Sequence, residues 1–349
     1  MIPFSLLVKP VGSACNLRCR YCFYSDHAAG VMSEEICRRM LESYAALPFA
    51  AKSVALQGGE PLLAPSYVFD LMESAPVERS IQTNATLVTP ECAERLRRGG
   101  WLVGASLDGD AVMNRGRVFK AARPAAGASC SSEAFDAIVA GVRNLERSGV
   151  DYNLLAVVSK ANVGRAGEVY RYFRETFATK YYQFIECTGP CEEIGAEEWG
   201  EFLCALFDEW VKRDVHEISI RLFDSIVSEL VDGVPTQCSF ASSCRQYLVV
   251  EHDGSVYPCD FHVRDDLRLG NVMTDSWEEL VGSPKYAEFA AAKCAGLEEE
   301  CRRCEYFRFC RGDCPRNREG GRSKLCAGWK RFFAHALPRL LEVLSAAGL

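Results

Sequence analysis

Residues 15–24 read CNLRCRYCFY and place Cys15, Cys19 and Cys22 near the N-terminus of a 349-residue chain. Three thiols cannot close a four-ligand zinc site by themselves, and His27 is the one nearby candidate for a fourth ligand. An iron-sulfur cluster held by three cysteines instead leaves one iron open to a ligand from outside the protein. This stretch alone leaves both kinds of site open.

The bulk composition limits the class of protein. The length suits two domains, or one large barrel with an appendage. The 47 acidic and 40 basic residues are mixed along the chain without a basic block, so we expect no nucleic-acid partner. The N-terminus lacks the features of a secretory signal and no apolar run reaches about 18 residues, so we expect a cytoplasmic protein with no membrane partner. In a reducing compartment, the 18 cysteines favour metal binding or catalysis over structural disulfides.

Short apolar runs alternate with amphipathic stretches in the first half of the chain. Strands are predicted at residues 4–10, 53–57, 79–84, 101–109, 152–159 and 180–186. Helices are predicted between them at Ser33–Leu47, Tyr67–Ser74, Pro90–Arg98, Glu133–Ser148 and Gly164–Glu175. Six strand-helix units in strict order predict an α/β fold, with a parallel sheet closed partly or wholly into a barrel.

Four motifs fall at the carboxyl ends of the predicted strands. The cysteine triplet follows the first strand, QGGEP (57–61) the second, QTN (82–84) the third and SLDG (106–109) the fourth. Because the carboxyl ends of parallel strands meet at one edge of the sheet, these motifs predict a single site.

The spacing C-x3-C-x2-C, followed by an aromatic residue, resembles that of the radical S-adenosylmethionine (SAM) enzymes. The resemblance implies a partial (β/α)6 TIM-like barrel in which Cys15, Cys19 and Cys22 hold a 4Fe-4S cluster and SAM binds the open iron. Arg115 and Arg117 are both candidates to pair with the SAM carboxylate, and we include Arg117 in the predicted site. The residues implied to line the SAM pocket are Gly58, Gly59, Glu60, Gln82, Thr83, Asn84, Ser106, Asp108 and Arg117.

The QGGEP motif has its own physical rationale. Gly58 and Gly59 would let the backbone approach a ligand, and Glu60 could accept a hydrogen bond from an ammonium group. Taken alone, the motif is more typical of a turn before a helix. The resemblance assigns it to the amino group of SAM.

The C-terminal third carries C-x5-C-x14-C followed by C-x2-C-x5-C-x3-C and C-x11-C. Two zinc ribbons are one interpretation, since C-x2-C is also a zinc spacing. The pattern resembles the twin-cluster SPASM domain of peptide-modifying radical SAM enzymes, which implies two further 4Fe-4S clusters with an electron-transfer role. The implied ligand sets are Cys238, Cys244, Cys259 and Cys314 for the first auxiliary cluster, and Cys301, Cys304, Cys310 and Cys326 for the second.

Two domains are predicted, a barrel with connecting helices over residues 1–235 and a twin-cluster domain with a C-terminal helix over residues 236–349. The cysteines outside the motifs are predicted to pack as small buried hydrophobic residues. They are Cys37, Cys92, Cys130, Cys187, Cys191, Cys204 and Cys294.

Several longer runs narrow the resemblance to the anaerobic sulfatase-maturating enzymes, from residue 4 to about residue 340. These runs are LQGGEPLL (56–63), NLLAVVS (153–159), YYQFIE (181–186), YPCDFHV (257–263) and RLGN (268–271). Such enzymes oxidise a Cys or Ser side chain of a sulfatase to Cα-formylglycine. The implied partners are an unfolded or nascent sulfatase polypeptide and a reductant such as flavodoxin or ferredoxin.

The resemblance also implies the chemistry. A 5′-deoxyadenosyl radical made from SAM removes a hydrogen atom from the substrate β-carbon, and loss of one more electron and a proton gives the aldehyde or thioaldehyde. An auxiliary cluster would take the electron, and Asp260 would be the base. Tyr24 and Gln57 match positions near the bound peptide and would hydrogen-bond its backbone, with packing at the edge of the site as the alternative.

Two other functions stay open on the sequence. One is another radical SAM/SPASM peptide maturase, such as an enzyme that forms thioether bonds in ribosomal peptides. Those enzymes often carry an N-terminal peptide-binding domain, which we do not expect with fourteen residues before Cys15. The other is a zinc-binding scaffold without catalysis.

Overall fold

The computed structural model describes residues 4–120, 130–189 and 191–348. The strands are β1 (Ser5–Val8), β2 (Ser53–Leu56), β3 (Glu78–Thr83), β4 (Leu102–Ser106), β5 (Tyr152–Val158), β6 (Tyr181–Glu186), β7 (Ser219–Ile220), β8 (Tyr247–Val250), β9 (Ser255–Tyr257), β10 (Gly270–Asn271), β11 (Arg318–Glu319) and β12 (Arg322–Ser323). The helices are α1 (Glu34–Ala45), α2 (Ser66–Ser74), α3 (Pro90–Arg98), α4 (Cys130–Ser148), α5 (Ala166–Thr176), α6 (Ala196–Val211), α7 (Arg221–Val231), α8 (Trp277–Gly282), α9 (Pro284–Ala291), α10 (Glu299–Arg302), α11 (Phe307–Cys310) and α12 (Cys326–Ala346).

The strand and helix predictions for the first half are confirmed element by element. Each of the six predicted strands overlaps one of β1 to β6, and each of the five predicted helices overlaps one of α1 to α5. Local signals explain the helix starts, because Ser33 caps α1 through the Ile36 N–H, and Thr89 caps α3 through the Cys92 N–H. The α/β class follows from this alternation.

One compact unit, here the first unit, contains the described residues of Met1–Ser106, Arg117–Tyr152 and Cys244–Ala291. Strands β1 to β4 pair in parallel and in sequence order. Strand β8 pairs in parallel with the other side of β1, and β9 and β10 extend the sheet in antiparallel fashion. The apolar side chains of Leu6, Val8 and Leu248 are fully buried in this sheet. A segment from the C-terminal third therefore belongs to the same sheet as β1, the strand that leads to the cysteine triplet.

The second unit contains the described residues of Leu107–Gly116, Asn153–Ser243 and Ala292–Leu349. Its strands β5, β6 and β7 pair in parallel, and β11 and β12 form a short antiparallel pair. Helix α12 packs against α6, with the rings of Trp199 and Trp329 in an edge-to-face contact at 5.6 Å. The two units divide the chain differently from residues 1–235 and 236–349, and that domain division stays a prediction.

The described helices include none that combines the length and the apolar character needed to cross a membrane.

The crossing of α6 and α12 depends on two glycines that let the backbones touch. A Cβ atom on Gly328 would lie 2.1 Å from the carbonyl oxygen of Ala196, and one on Gly200 would lie 2.8 Å from the Cα of Gly328. Real Cβ atoms do not approach backbone so closely, so any larger residue must push the helices apart.

We therefore expect Gly328→Ala to lower the free energy of unfolding by about 1–3 kcal/mol, because the new methyl group overpacks the helix crossing. Thermal unfolding followed by circular dichroism measures this as a lower midpoint. Gly164→Ala is the matched control, because Gly164 has no neighbour within 4 Å of its Cβ position and should change stability by less than about 1 kcal/mol. An unchanged midpoint in Gly328→Ala would contradict the proposed importance of this crossing.

Candidate active site

The turn after β2 packs directly on the loop that leads to Cys15. The Gly59 N–H donates to the Gly12 carbonyl and the Glu60 N–H donates to the Ala14 carbonyl, both at 2.8 Å. A Cβ atom on Gly59 would lie 2.0 Å from the Ala14 oxygen, and Gly58 has a φ of +119°. Both glycines are therefore needed for the turn and the cysteine loop to meet.

The sulfur of Cys15 receives donors from the protein. The Leu17 N–H lies 3.4 Å from this sulfur and the Asn84 amide nitrogen 3.7 Å from it. Burial raises the pKa of the Cys15 thiol, and the nearby Glu60 and Cys22 act in the same direction. Polar donors aimed at a partly buried sulfur, with Cys22 close by on the same loop, suit a thiolate that ligates a cluster.

The Glu60 carboxylate is fully buried and holds the ends of β2 and β3 together. It accepts hydrogen bonds from the Leu62 N–H at 3.1 Å, the Thr83 hydroxyl at 2.7 Å and the Asn84 N–H at 2.8 Å. Burial raises its pKa, while these three donors stabilise its charged form. The side chain thus supports the predicted pocket from within, and its contact with the SAM ammonium stays a prediction.

Other predicted SAM-pocket residues in the first unit lie along β3 and β4. The Gln82 amide nitrogen donates to the Ser106 hydroxyl at 2.9 Å. Asn84 donates to the Asn16 carboxamide at 2.9 Å, beside the cysteine loop. Arg117 is buried, with its guanidinium 5.4 Å from the centre of the Tyr21 ring.

The two remaining candidates lie in the second unit. Asp108 is buried, and its carboxylate accepts the Val157 N–H at 3.0 Å while its carbonyl accepts from the Asn162 amide at 2.9 Å. These bonds give Asp108 a structural role at the end of β5. Arg115, the alternative to Arg117, is exposed. The contact of any of these residues with SAM stays a prediction.

A buried charged cluster in the first unit surrounds Asp260. Asp260 is 7% exposed and forms an ion pair with Lys9, which is 1% exposed. The Lys9 ammonium also lies 4.6 Å from the centre of the Tyr24 ring. The Tyr24 hydroxyl donates to both carboxylate oxygens of Glu251, at 2.6 and 2.5 Å, and its ring stacks on His27. Sequence reasoning missed Lys9 and Glu251, although a lysine at the end of the apolar run FSLLVKP was a visible signal.

The two predicted peptide-binding residues occupy different environments. Burial and the neighbouring Glu251 raise the pKa of Tyr24, so its hydroxyl stays protonated and bound to that carboxylate. Gln57 is half-buried directly after β2, where its N–H donates to the Val8 carbonyl at 2.8 Å. Neither contact tests binding to a peptide, and both roles stay predictions.

Four thiols of the second unit line one cavity, together with the rings of Tyr306, Trp329 and Phe333. Within the described ranges, no three His, Cys, Asp or Glu side chains converge closely enough to hold a single metal ion. Four thiols around an apolar cavity are the donor set and the surroundings that a fully ligated 4Fe-4S cluster requires. These thiols belong to Cys301, Cys304, Cys310 and Cys326.

The other predicted auxiliary ligands are divided between the units. In the first unit, the Cys259 sulfur lies 3.6 Å from the Tyr247 hydroxyl, and burial raises the pKa of this thiol to about 11. In the second unit, burial raises the pKa of Cys238, and burial with the neighbouring Asp313 raises that of Cys314 to about 12. The grouping of these thiols with Cys244 as one ligand set stays a prediction.

The remaining cysteines only partly follow the expectation of buried thiols. Cys37 and Cys187 are buried, but Cys191 is exposed because it lies in the turn between β6 and α6. The side chain of Cys130 lies outside the described residues. Three further thiols are partly buried, namely Cys92, Cys204 and Cys294.

Comparisons with known proteins agree with the sequence motifs. Residues 10–176 match the Radical SAM superfamily, and residues 238–305 match SPASM, an iron-sulfur cluster-binding domain. The chain is therefore a radical SAM oxidoreductase. Its cofactors are SAM and 4Fe-4S clusters, and the two matched domains together account for three clusters. The predicted fold class, a partial (β/α)6 barrel with a C-terminal SPASM-type domain, is confirmed.

Solved structures give the same result. A structure described as native anSMEcpe with bound AdoMet and Cp18Cys peptide has a TM-score of 0.90 and 33% identity, covering 99% of this chain and 100% of that chain. SuiB from Streptococcus suis, bound to its precursor peptide SuiA, has a TM-score of 0.66 at 15% identity, which shows a shared fold alone.

Curated relatives cover the whole length. A cysteine-type anaerobic sulfatase-maturating enzyme from Clostridium perfringens is 34% identical over 98% of this chain and 99% of its own length. A serine-type enzyme from Bacteroides thetaiotaomicron is 31% identical over 96% of this chain and 90% of its own length. On this near-complete similarity, the chain belongs to the anaerobic sulfatase-maturating enzymes of the radical SAM superfamily.

Proposed function

We propose that this chain oxidises a Cys or Ser side chain of a sulfatase polypeptide to Cα-formylglycine. The observation that carries the proposal is similarity over nearly the whole chain to relatives named for each residue type. The three-thiol loop and the four-thiol cavity add physical support, because this oxidation needs both a radical source and an electron acceptor.

The first site would bind and orient the cofactors. Cys15, Cys19 and Cys22 would hold one 4Fe-4S cluster, with the Leu17 and Asn84 donors fixing the Cys15 sulfur. When bound, this cluster and SAM supply the 5′-deoxyadenosyl radical that removes a hydrogen atom from the substrate β-carbon. The turn after β2 lies against the cysteine loop, so its backbone would position the amino acid part of SAM next to the cluster.

Asp260 would accept the proton from the substrate oxygen or sulfur. The Lys9 ammonium pairs with this carboxylate in a buried site, so the proposed base has a fixed partner and a fixed position. The Tyr24 and Glu251 pair fixes the ring beneath Lys9 and thereby fixes the direction of the ion pair. The electron would pass to an auxiliary cluster, whose thiolate ligands leave no iron open to substrate.

The proposed reaction needs a polypeptide substrate, an electron donor and a reducing compartment. The substrate would be an unfolded or nascent sulfatase segment, since a folded active site would not reach a buried carboxylate such as Asp260. Radical formation consumes one electron, so a donor such as flavodoxin or ferredoxin is needed. We place the protein in the cytoplasm because a reducing compartment keeps its many thiols available to iron.

The first experiment adds SAM, dithionite and two peptides with a sulfatase motif, one with Cys and one with Ser, to anaerobically reconstituted protein. We expect formylglycine in at least one peptide, with 5′-deoxyadenosine formed in step, both measured by mass spectrometry. SAM cleavage without oxidation of either peptide would exclude sulfatase maturation and leave another peptide maturase as the function.

Asp260→Asn should keep SAM cleavage and lose most of the aldehyde, by about 10²–10⁴-fold, because an amide cannot accept the proton. Formation of 5′-deoxyadenosine and formylglycine would be followed in the same reaction. Asp266→Asn is the matched control, because Asp266 is an exposed neighbour that pairs with Arg264, and it should retain native aldehyde formation. Native aldehyde formation by Asp260→Asn would show that another group is the base.

Cys304→Ala should lose about four iron atoms per chain, because the second auxiliary cluster would lack one of its four ligands. Iron analysis and electron paramagnetic resonance of reconstituted protein measure the loss. Cys204→Ala, on α6, is the control and should keep the full iron content. Equal iron content in the two variants would remove Cys304 from the ligand set.

A further inference from the structure

Lys293 is a fully buried lysine in the second unit, with 0% exposure. Its ammonium donates to the Ser239 carbonyl at 2.6 Å and to the Asp313 carbonyl at 2.7 Å. Ser239 directly follows Cys238, and Asp313 directly precedes Cys314. The ammonium therefore ties together the two backbone segments of this unit that carry proposed ligands of the first auxiliary cluster.

The segment that ends at Cys314 is built to keep this geometry. Arg311, Gly312 and Asp313 all have positive φ, at 44°, 76° and 61°, which turns the chain sharply between Cys310 and Cys314. Two of these three are not glycine, so the surroundings must enforce the turn. Arg318 does so by donating to the carbonyls of Gly312 and Asp313, at 2.6 and 2.7 Å.

The Asp313 side chain fixes the same turn from its other face. One carboxylate oxygen accepts the Cys314 N–H at 2.6 Å. The other accepts from Asn317, Ser323 and Trp329, at 3.1, 2.7 and 3.2 Å. The Asp313 carbonyl, which the Lys293 ammonium binds, therefore has little freedom to move.

Burying an ammonium is costly unless negative charge compensates it. The two carbonyl oxygens solvate the ammonium but carry no net charge. Thiolates that ligate a cluster carry negative charge and can compensate it. The effect on the thiols agrees with this placement. Burial raises the pKa of Cys238 and Cys314, and the positive charge of Lys293 acts against that rise for both. Asp313 and Glu186 add negative charge in the same region. Arg316 acts on Cys314, and Arg221 on Cys238, in the same direction as Lys293, but Lys293 is the fully buried one of these three cations.

We propose that Lys293 raises the reduction potential of the cluster that Cys238 and Cys314 help to hold, and so makes that cluster the acceptor of the substrate electron. In this step the carbon radical would lose one electron to the oxidised cluster, which would thereby be reduced by one electron. The Oγ or Sγ proton would go to Asp260. A fixed cation in a dry site favours the reduced, more negative state. The inference rests on the proposed ligand set and deepens the proposed function.

The lysine beside the second auxiliary site is of a different kind. Lys330 lies near Cys304 and Cys326, but its side chain is 38% exposed and pairs with Glu300 at 3.4 Å. Water and salt screen such a charge, so its influence on a cluster is weak. Lys330 therefore provides the matched control for Lys293.

The test is a redox titration followed by electron paramagnetic resonance, on full-length protein in which Cys15, Cys19 and Cys22 are alanine so that only auxiliary clusters remain. We expect Lys293→Gln and Lys293→Met to move one of the two midpoint potentials to more negative values. Lys293→Arg should keep that midpoint close to native, because it keeps the charge. Lys330→Gln should leave the same midpoint unmoved.

A second measurement uses the same substitutions in the chain with its native cysteines. Lys293→Gln should form less formylglycine per 5′-deoxyadenosine than the native chain. The substrate radical would still form, but it would transfer its electron to the auxiliary cluster less often. Lys330→Gln should keep the native ratio.

The outcomes separate the inference from the proposed function. Lys293→Gln with native iron content and an unmoved midpoint would overturn the inference. Loss of about four iron atoms in both neutral variants would also overturn it, because Lys293 would then be a structural clamp between two ligand segments. If the native chain fails to oxidise either peptide, the proposed function fails, but a negative shift in Lys293→Gln would still establish the tuning of the cluster.

Discussion

Two backbone hydrogen bonds, from Gly59 to Gly12 and from Glu60 to Ala14, hold the turn after β2 against the loop that carries Cys15. They need a turn without side chains, since a Cβ atom at Gly59 would overlap the Ala14 carbonyl. Once the turn is in place, the Glu60 carboxylate reaches Thr83 and the Asn84 N–H, and the Asn84 amide reaches the Cys15 sulfur. The ends of β2 and β3 and the cysteine loop are thus one connected structure, so the place of the cluster depends on contacts that begin with a glycine pair.

Several charged groups buried among the described residues have identified partners. Glu60 has three donors, Asp260 has Lys9, and Lys293 has two carbonyls beside proposed cluster ligands. A buried charge without compensation would cost several kcal/mol, so such groups persist where the function or the local fold uses them. Asp313 illustrates the second case, because its carboxylate is fully engaged in holding the turn before Cys314.

The sequence predicted what short-range patterns encode. Alternation of apolar runs and amphipathic stretches located β1 to β6 and α1 to α5, and cysteine spacing located the proposed cluster ligands. It could not predict that Tyr24 binds Glu251, 227 positions away, or that Lys9 pairs with Asp260, because such pairs depend on how β8 joins β1. The sequence predicted a ligand contact for Glu60, which stays a prediction, but it did not predict that Leu62, Thr83 and Asn84 all donate to its carboxylate. A local motif identifies the residue, but only the packed neighbours decide which atom of it is available.

The Lys9 ion pair raises a question about the base, since the ammonium already contacts the carboxylate that would accept the proton. The order of events in the proposed reaction resolves it. An alcohol or thiol proton is far too weakly acidic for a carboxylate to remove from the intact substrate. Once the β-carbon radical begins to lose its electron, positive charge develops on carbon and is shared with the adjacent oxygen or sulfur, and the attached proton becomes strongly acidic. A carboxylate is then a sufficient base. The same carboxylate could serve Cys and Ser alike, so any preference between them would arise from how the peptide binds and from how readily the electron leaves.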